Sequence, residues 1–245
     1  MKEVNRIFRN SCKLGLLFVF LLACRFWAQG LTAWLASGGM KAQFKAVIFS
    51  MLILGACLVG ISSHYFSYEE KRVEKEGLSI LDGLFILCFF GLARLFLWLG
   101  LPVLEHFLGP SLVGYEAGLL ATAKQISQQF FAAGLLYVMI ISLVLPILEE
   151  LIFRGFMTYY FFQPQDKLVL ALLSSALFAL GRFPTTILAF LFDFGLGLIF
   201  YGAYCRQGRL RDAIWVHILV ALPSSLFILI SIYGDWFQQI FHNFS

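Results

Sequence analysis

Long apolar runs limit what this chain can fold into more than any other feature. The stretch "FFAAGLLYVMIISLVL", residues 130–145, carries no charge over sixteen residues. A bilayer core takes about 20 mostly apolar residues per helix. Runs on that scale recur at about 14–36, 46–63, 80–104, 130–162, 168–182, 185–203 and 213–233. A Gly-rich segment at 107–123, "FLGPSLVGYEAGLLATA", is weaker and reads as re-entrant, interfacial or a poor additional span. The expectation is an all-α membrane protein, a bundle of seven transmembrane helices, or eight if 107–123 crosses. No repeat of 20–50 residues is visible, and the only strongly polar linker is "SYEEKRVEKEG", 67–77, so residues 1–245 read as one polytopic domain.

Composition agrees. Hydrophobic residues make up 60% of the chain and charged residues 13%, and the mean hydropathy is +0.85. A soluble domain carries roughly twice that charged fraction. The 28 phenylalanines suit lipid-facing and interhelical packing and say nothing of chemistry. The net charge of +4 is spread over short segments, with no basic, aromatic-interleaved surface of the kind that binds nucleic acid.

The basic segments instead signal topology. Lys2, Arg6, Arg9 and Lys13, then Lys71, Arg72 and Lys75, then Arg206, Arg209 and Arg211 all fall on one side if seven spans start from a cytoplasmic N-terminus. Lys41 and Lys45 fall on the other side. A bacterial cytoplasmic membrane fits the compact size. The basic start and apolar run resemble a signal peptide, but no A-x-A-like site closes the run, so a first transmembrane helix is expected. Cys12, Cys24, Cys57, Cys88 and Cys205 show no CxxC spacing and read as small buried hydrophobes.

Charges within the spans are the informative residues: Arg25, Asp82, Arg94, Glu149, Glu150, Arg154, Arg182, Asp193 and His217. Each costs about 2.5–3.5 kcal/mol at a helix centre on insertion scales, which makes it a candidate for function. For Arg25, Asp82 and Arg94 the expectation is interhelical pairing or snorkelling. Asp193, mid-span with no neighbour in sequence to neutralise it, stays open between the two readings.

Two glutamates and an arginine meet in "PILEELIFRGF", 146–156. Residues four apart share a helix face, so Glu150 and Arg154 can pair. Glu149 is turned about 100° away and is left to look elsewhere. The plainer alternative is that both glutamates mark a membrane boundary. If the flanking helices form a hairpin around "QPQDK", 163–167, Glu150 and Arg182 both lie about 15–17 residues, roughly 22–26 Å, from the turn. Arg182 is then expected to pair with the carboxylates. His217 starts the last span just after a basic loop, so it is expected at shallower depth, as a general acid/base or as an interfacial histidine.

At these residues the chain resembles the CPBP family, the CAAX-protease and bacteriocin-processing (Abi-type) intramembrane endopeptidases. "EELIFRG" matches the family's EExxxR signature. "SSALFALGRF" resembles its FxxxH motif, with Phe178 in first position. "GLGLIFYGAYCRQGRLRDAIWVHILVA" resembles the glycine-bearing helix, basic loop and HxxxN motif. The resemblance covers about residues 130–225, in order and spacing. It departs twice: Arg182 stands where the second motif has histidine, and Ala221 where the third has asparagine.

The resemblance implies a glutamate that activates a water, with histidine and asparagine groups positioning it or binding the oxyanion. Carried over by position, Glu149 is the candidate base, Glu150 with Arg154 the structural pair, and His217 an oxyanion donor, with Arg182 in the place of the second histidine. An arginine beside a carboxylate occupies its lone pairs and leaves a poorer proton acceptor. A missing oxyanion donor costs roughly 10²–10³ in kcat at comparable sites. No metal or other cofactor is expected, since arginine is not a usual zinc ligand and His64, His106 and His242 lie too far along the chain. Three readings stay open. The first is a catalytically degenerate homologue that binds a transmembrane partner or peptide tail among membrane lipid. The second is an active endopeptidase using Glu149, His217 and Arg182, and the third a transporter with a charged cavity.

Overall fold

The computed structural model describes residues 2–36, 39–69, 79–108, 113–161, 166–184 and 186–243. Among them the chain is helical throughout: α1 (Lys2–Ala36), α2 (Met40–Glu69), α3 (Ile80–Leu108), α4 (Val113–Gln129), α5 (Phe131–Phe161), α6 (Lys167–Leu180), α7 (Ile187–Cys205) and α8 (Leu210–Asn243). Helices are the expected solution in lipid, because they satisfy every backbone polar group within one segment. Parts of the linker 67–77 and of the turn 163–167 lie outside the described residues.

Among the described residues six helices are long and apolar enough to cross a membrane: Ile7–Trp27, Met40–Ser67, Ile80–Val103, Phe131–Phe161, Ile187–Cys205 and Leu210–Gly234. The expected seventh, 168–182, is the 14-residue helix α6, about 21 Å long at 1.5 Å per residue and therefore shorter than a bilayer core. Gly181 and Arg182 form a turn instead of continuing it. The weak segment 107–123 straddles the end of α3 and the start of α4; α4 has 17 residues and is not among the apolar spans.

Burial separates the centre from the rim. Half of the apolar window of α5 is buried, against 11% for those of α1 and α3. α8 packs against α3, α4, α5 and α7, while α1 packs against α2, α4 and α5. α5 and α8 are thus the axis of the bundle, and the rim helices turn residues such as Phe8, Leu16, Leu52 and Trp98 outward. That is the surface a lipid-embedded bundle needs.

Helix starts follow from side-chain chemistry. Ser79 and Asp82 form a reciprocal capping box at the start of α3: Asp82 accepts from the Ser79 N–H and Ser79 Oγ from the Asp82 N–H, both at 3.1 Å. Thr186 caps α7 by accepting from the Ala189 N–H at 3.1 Å.

α5 is not uniformly wound. It widens to i→i+5 bonding over Ile140–Val144 and again over Leu151–Phe156. Pro146 explains the first widening. It has no N–H to donate, and its ring would strike the preceding turn, so the helix opens just ahead of it. Such wide turns recur at functional sites, and these two bracket Glu149 and Glu150.

Candidate intramembrane site

Glu149, Glu150 and Arg154 are all buried in α5. Arg154 Nη1 donates to Glu150 Oε1 at 3.1 Å, which is the i,i+4 pair expected from spacing. Its Nη2 donates to the Gly197 carbonyl of α7 at 2.8 Å. The guanidinium carbon lies 4.9 Å from the ring centre of Phe178 and 5.9 Å from that of Phe200. Hydrogen bonds and two aromatic faces together offset the removal of this cation from water.

Glycine at 197 is required by the approach of α6. A Cβ there would come within 3.0 Å of Ser175 Cβ and 3.1 Å of its Cα. A larger residue would push the two helices apart and draw the Gly197 carbonyl away from Arg154.

His217 is deeper than its place in the sequence suggests. It is 3% exposed, so it is not an interfacial histidine. Seven residues into α8, it reaches both glutamates: Nδ1 lies 2.9 Å from Glu150 Oε1, its N–H donating, and Nε2 lies 3.5 Å from Glu149 Oε2. Phe200 stacks on the imidazole at 4.2 Å and Phe178 meets it edge-on at 5.7 Å, which fixes the ring's orientation. Phe178, the first residue of the second motif, therefore packs both the arginine and the histidine. Glu150 Oε2 is buried and meets no hydrogen-bond partner among the described residues.

The partner of Glu149 is Arg25 of α1. Its Nη2 donates to Glu149 Oε1, and its Nη1 donates to the Gly181 carbonyl at 2.6 Å. One guanidinium thus ties α1 both to the carboxylate and to the turn that ends α6. In that turn Phe183 adopts a left-handed conformation, with φ of 56°, which costs a non-glycine residue about 1–2 kcal/mol. Its ring packs against Phe26, the neighbour of Arg25, at 5.6 Å.

Arg182 was expected to pair with the glutamates. The ion pair seen for it is with Asp193 of α7, at 3.0 Å, and its guanidinium carbon lies 5.1 Å from the Phe178 ring. It acts on Glu149 electrostatically. The reason is length: α6 stops at Leu180, so Arg182 leaves the helix and meets the first carboxylate of the following helix. Asp193 is accordingly a pairing partner.

All five candidate site residues thus converge: Glu149, Glu150, Arg154 and His217 in direct contact, Arg182 beside them. Sequence reasoning placed Arg25 among ordinary interhelical charges, although it completes the site. The signal was charge balance, since two glutamates against Arg154 leave one carboxylate needing a cation. Among the described residues no group of three His, Cys, Asp or Glu side chains could hold a metal ion.

A second cluster joins the ends of α3, α7 and α8. Asp82 accepts from Arg206 at 2.5 Å and from Arg209 at 3.2 Å, and Arg211 lies 3.5 Å away. Asp212 pairs with Arg206 at 3.2 Å. Partial desolvation disfavours the Arg206 cation, but its hydrogen bonds to Asp82 and Asp212 outweigh that and raise its pKa. Asp82 is thus an interhelical anchor, as anticipated.

No curated protein and no solved structure matches the chain. Residues 131–238 match the family model described as Type II CAAX prenyl endopeptidase Rce1-like, a span that opens with α5 and takes in Arg182, Asp193 and His217. Residues 131–238, somewhat under half of the chain, are therefore similar to the Rce1-like CAAX proteases of the CPBP family, and the chain is an integral membrane protein with a region homologous to those intramembrane proteases.

Proposed function

We propose that the chain is a catalytically degenerate member of this family, which holds a transmembrane or peptide segment without cutting it. The carrying observation is the hydrogen-bonded ion pair between Arg25 and Glu149. A general base needs a lone pair aimed at a water and a proton affinity near that of its surroundings. Glu149 Oε1 is occupied by a guanidinium, and the carboxylate lies against His217 and within the field of Arg182. The motif departures work in the same direction. Arg182 brings a fixed cation in place of a titratable imidazole, and Ala221 removes a side-chain donor.

In this reading Glu150, Arg154 and His217 form a buried polar brace between α5, α7 and α8, and the occupant is a prenylated or otherwise apolar peptide tail or a membrane helix. We place the protein in a bacterial cytoplasmic membrane with its N-terminus inside, on the basic residues of 1–13 and of the linker 67–77, which fall on one side of the first two spans. A hydrolytic reading has one observation in its favour, the unpartnered Glu150 Oε2 beside His217, where a water could be held.

Binding of a fluorescent farnesylated peptide to the lipid-reconstituted protein tests the proposal. The prediction is that wild type and Glu149→Gln both bind the peptide and release it intact. Shortening by wild type alone, or no binding by either, contradicts it.

A further inference from the structure

α3 carries a charge on its outer face. Its inner face, with Ile86 and Ala93 buried, packs against α7 and α8. Arg94 points the other way and is exposed, among Leu87, Leu95 and Trp98, which are 56%, 50% and 72% exposed. It makes no hydrogen bond or ion pair with the described residues.

Depth makes this costly. In the span Ile80–Val103, Arg94 lies about 21 Å along the helix from Ile80 and about 14 Å from Val103. Snorkelling serves arginines near helix ends. Side chains on a helix lean toward its N-terminus, which here is the longer way out. An arginine at such depth ordinarily faces the bundle interior and pairs with a carboxylate.

Nothing described within the chain can serve. The carboxylates described inside its spans are already engaged: Asp82 and Asp212 with Arg206, Glu149 with Arg25, Glu150 with Arg154 and Asp193 with Arg182. A second copy offering the same face would set Arg94 against Arg94, since a two-fold interface repeats the same patch on both subunits. Gly91, almost one turn away, has open space around it: a Cβ there would meet nothing within 4 Å. A neighbouring helix can therefore approach the backbone closely at that point.

We propose that the outer face of α3 around Arg94 docks a transmembrane helix of a different protein, one carrying an aspartate or glutamate at mid-bilayer depth. The carboxylate neutralises Arg94, Gly91 admits the close approach, and Trp98 with Leu87 and Leu95 supplies the apolar contact. This face looks away from Glu149, and the inference holds whether or not that site hydrolyses anything.

The test is energy transfer between the labelled full-length protein and a synthetic polyleucine transmembrane peptide in phosphatidylcholine vesicles. The peptide carries either one central glutamate or leucine at that position. The glutamate peptide is expected to bind about tenfold more tightly. Arg94→Leu, at an exposed position and with an unchanged thermal transition, is expected to remove the preference, and Arg94→Lys to retain part of it. Equal binding of the two peptides to wild type, or a preference that survives Arg94→Leu, overturns the proposal. So does Arg94-dependent enrichment of phosphatidylglycerol without any peptide preference, which would make Arg94 a lipid-headgroup contact.

Discussion

Among the described residues the bundle holds two clusters of arginines and carboxylates, and they differ mainly in place, one within the spans and one at helix ends where water is in reach. At the centre, Glu150 and Arg154 have no exposed side-chain surface, and Glu149 with Arg25 has 3% and 15%. At the ends of α3 and α8, the arginines around Asp82 retain 11–29% of theirs, although Asp82 itself keeps only 3%. The ionic chemistry is the same, and its worth is not. A charge stranded in the dry cluster has no water to turn to, while one at the rim is hydrated and screened. The central cluster is therefore the more sensitive to removal of a cation, which strands a buried carboxylate, and the rim cluster is graded.

The most severe way to break this contrast is Arg154→Ala. It strands the Glu150 carboxylate and is predicted to cost about 3–5 kcal/mol, read as a lowered thermal transition in detergent. A transition at the wild-type temperature would show that the centre is wetter than its geometry implies. Arg25→Leu strands the buried Glu149 carboxylate, and a loss of about 3 kcal/mol is expected by the same reasoning. Arg182→Ala sharpens the comparison, because Arg182 and Asp193 keep 23% and 18% of their side-chain surface. A loss near 1 kcal/mol is expected there, as for partly hydrated pairs. A loss as large as that of Arg154→Ala would place Arg182 in the central brace after all. Smallest is Arg211→Ala, at 29% exposure. Its predicted effect is below about 0.5 kcal/mol and disappears in molar salt; an effect that ignores salt would contradict the rim's hydration.

Much of this was legible in the sequence, for identifiable reasons. Apolar length reveals spans because the bilayer sets a fixed thickness, and six of seven expected runs became helices long enough to cross. The Glu150–Arg154 pair was legible because helical spacing is local. The partners of Glu149 and Arg182 were not, because they depend on where helices end and which neighbours they meet. α6 is shorter than its apolar run, so Arg182 falls in a turn and finds Asp193. His217 looked shallow because the start of α8 does not reveal how the helix is placed against α5. Arg25 lies 124 residues from Glu149, and only the surplus negative charge at "EELIFR" pointed to a missing cation.

The central claim is that Glu149 is held as a structural charge and does not activate water. The most direct measurement is mass spectrometry of new termini in membrane proteins that co-purify with the chain. They would be incubated in vesicles with wild type or with Glu149→Gln. The account predicts the same intact partners, and the same set of termini, with both proteins. Cuts made by wild type and absent from Glu149→Gln would contradict it, and would make the Arg25–Glu149 pair a resting state that opens for catalysis.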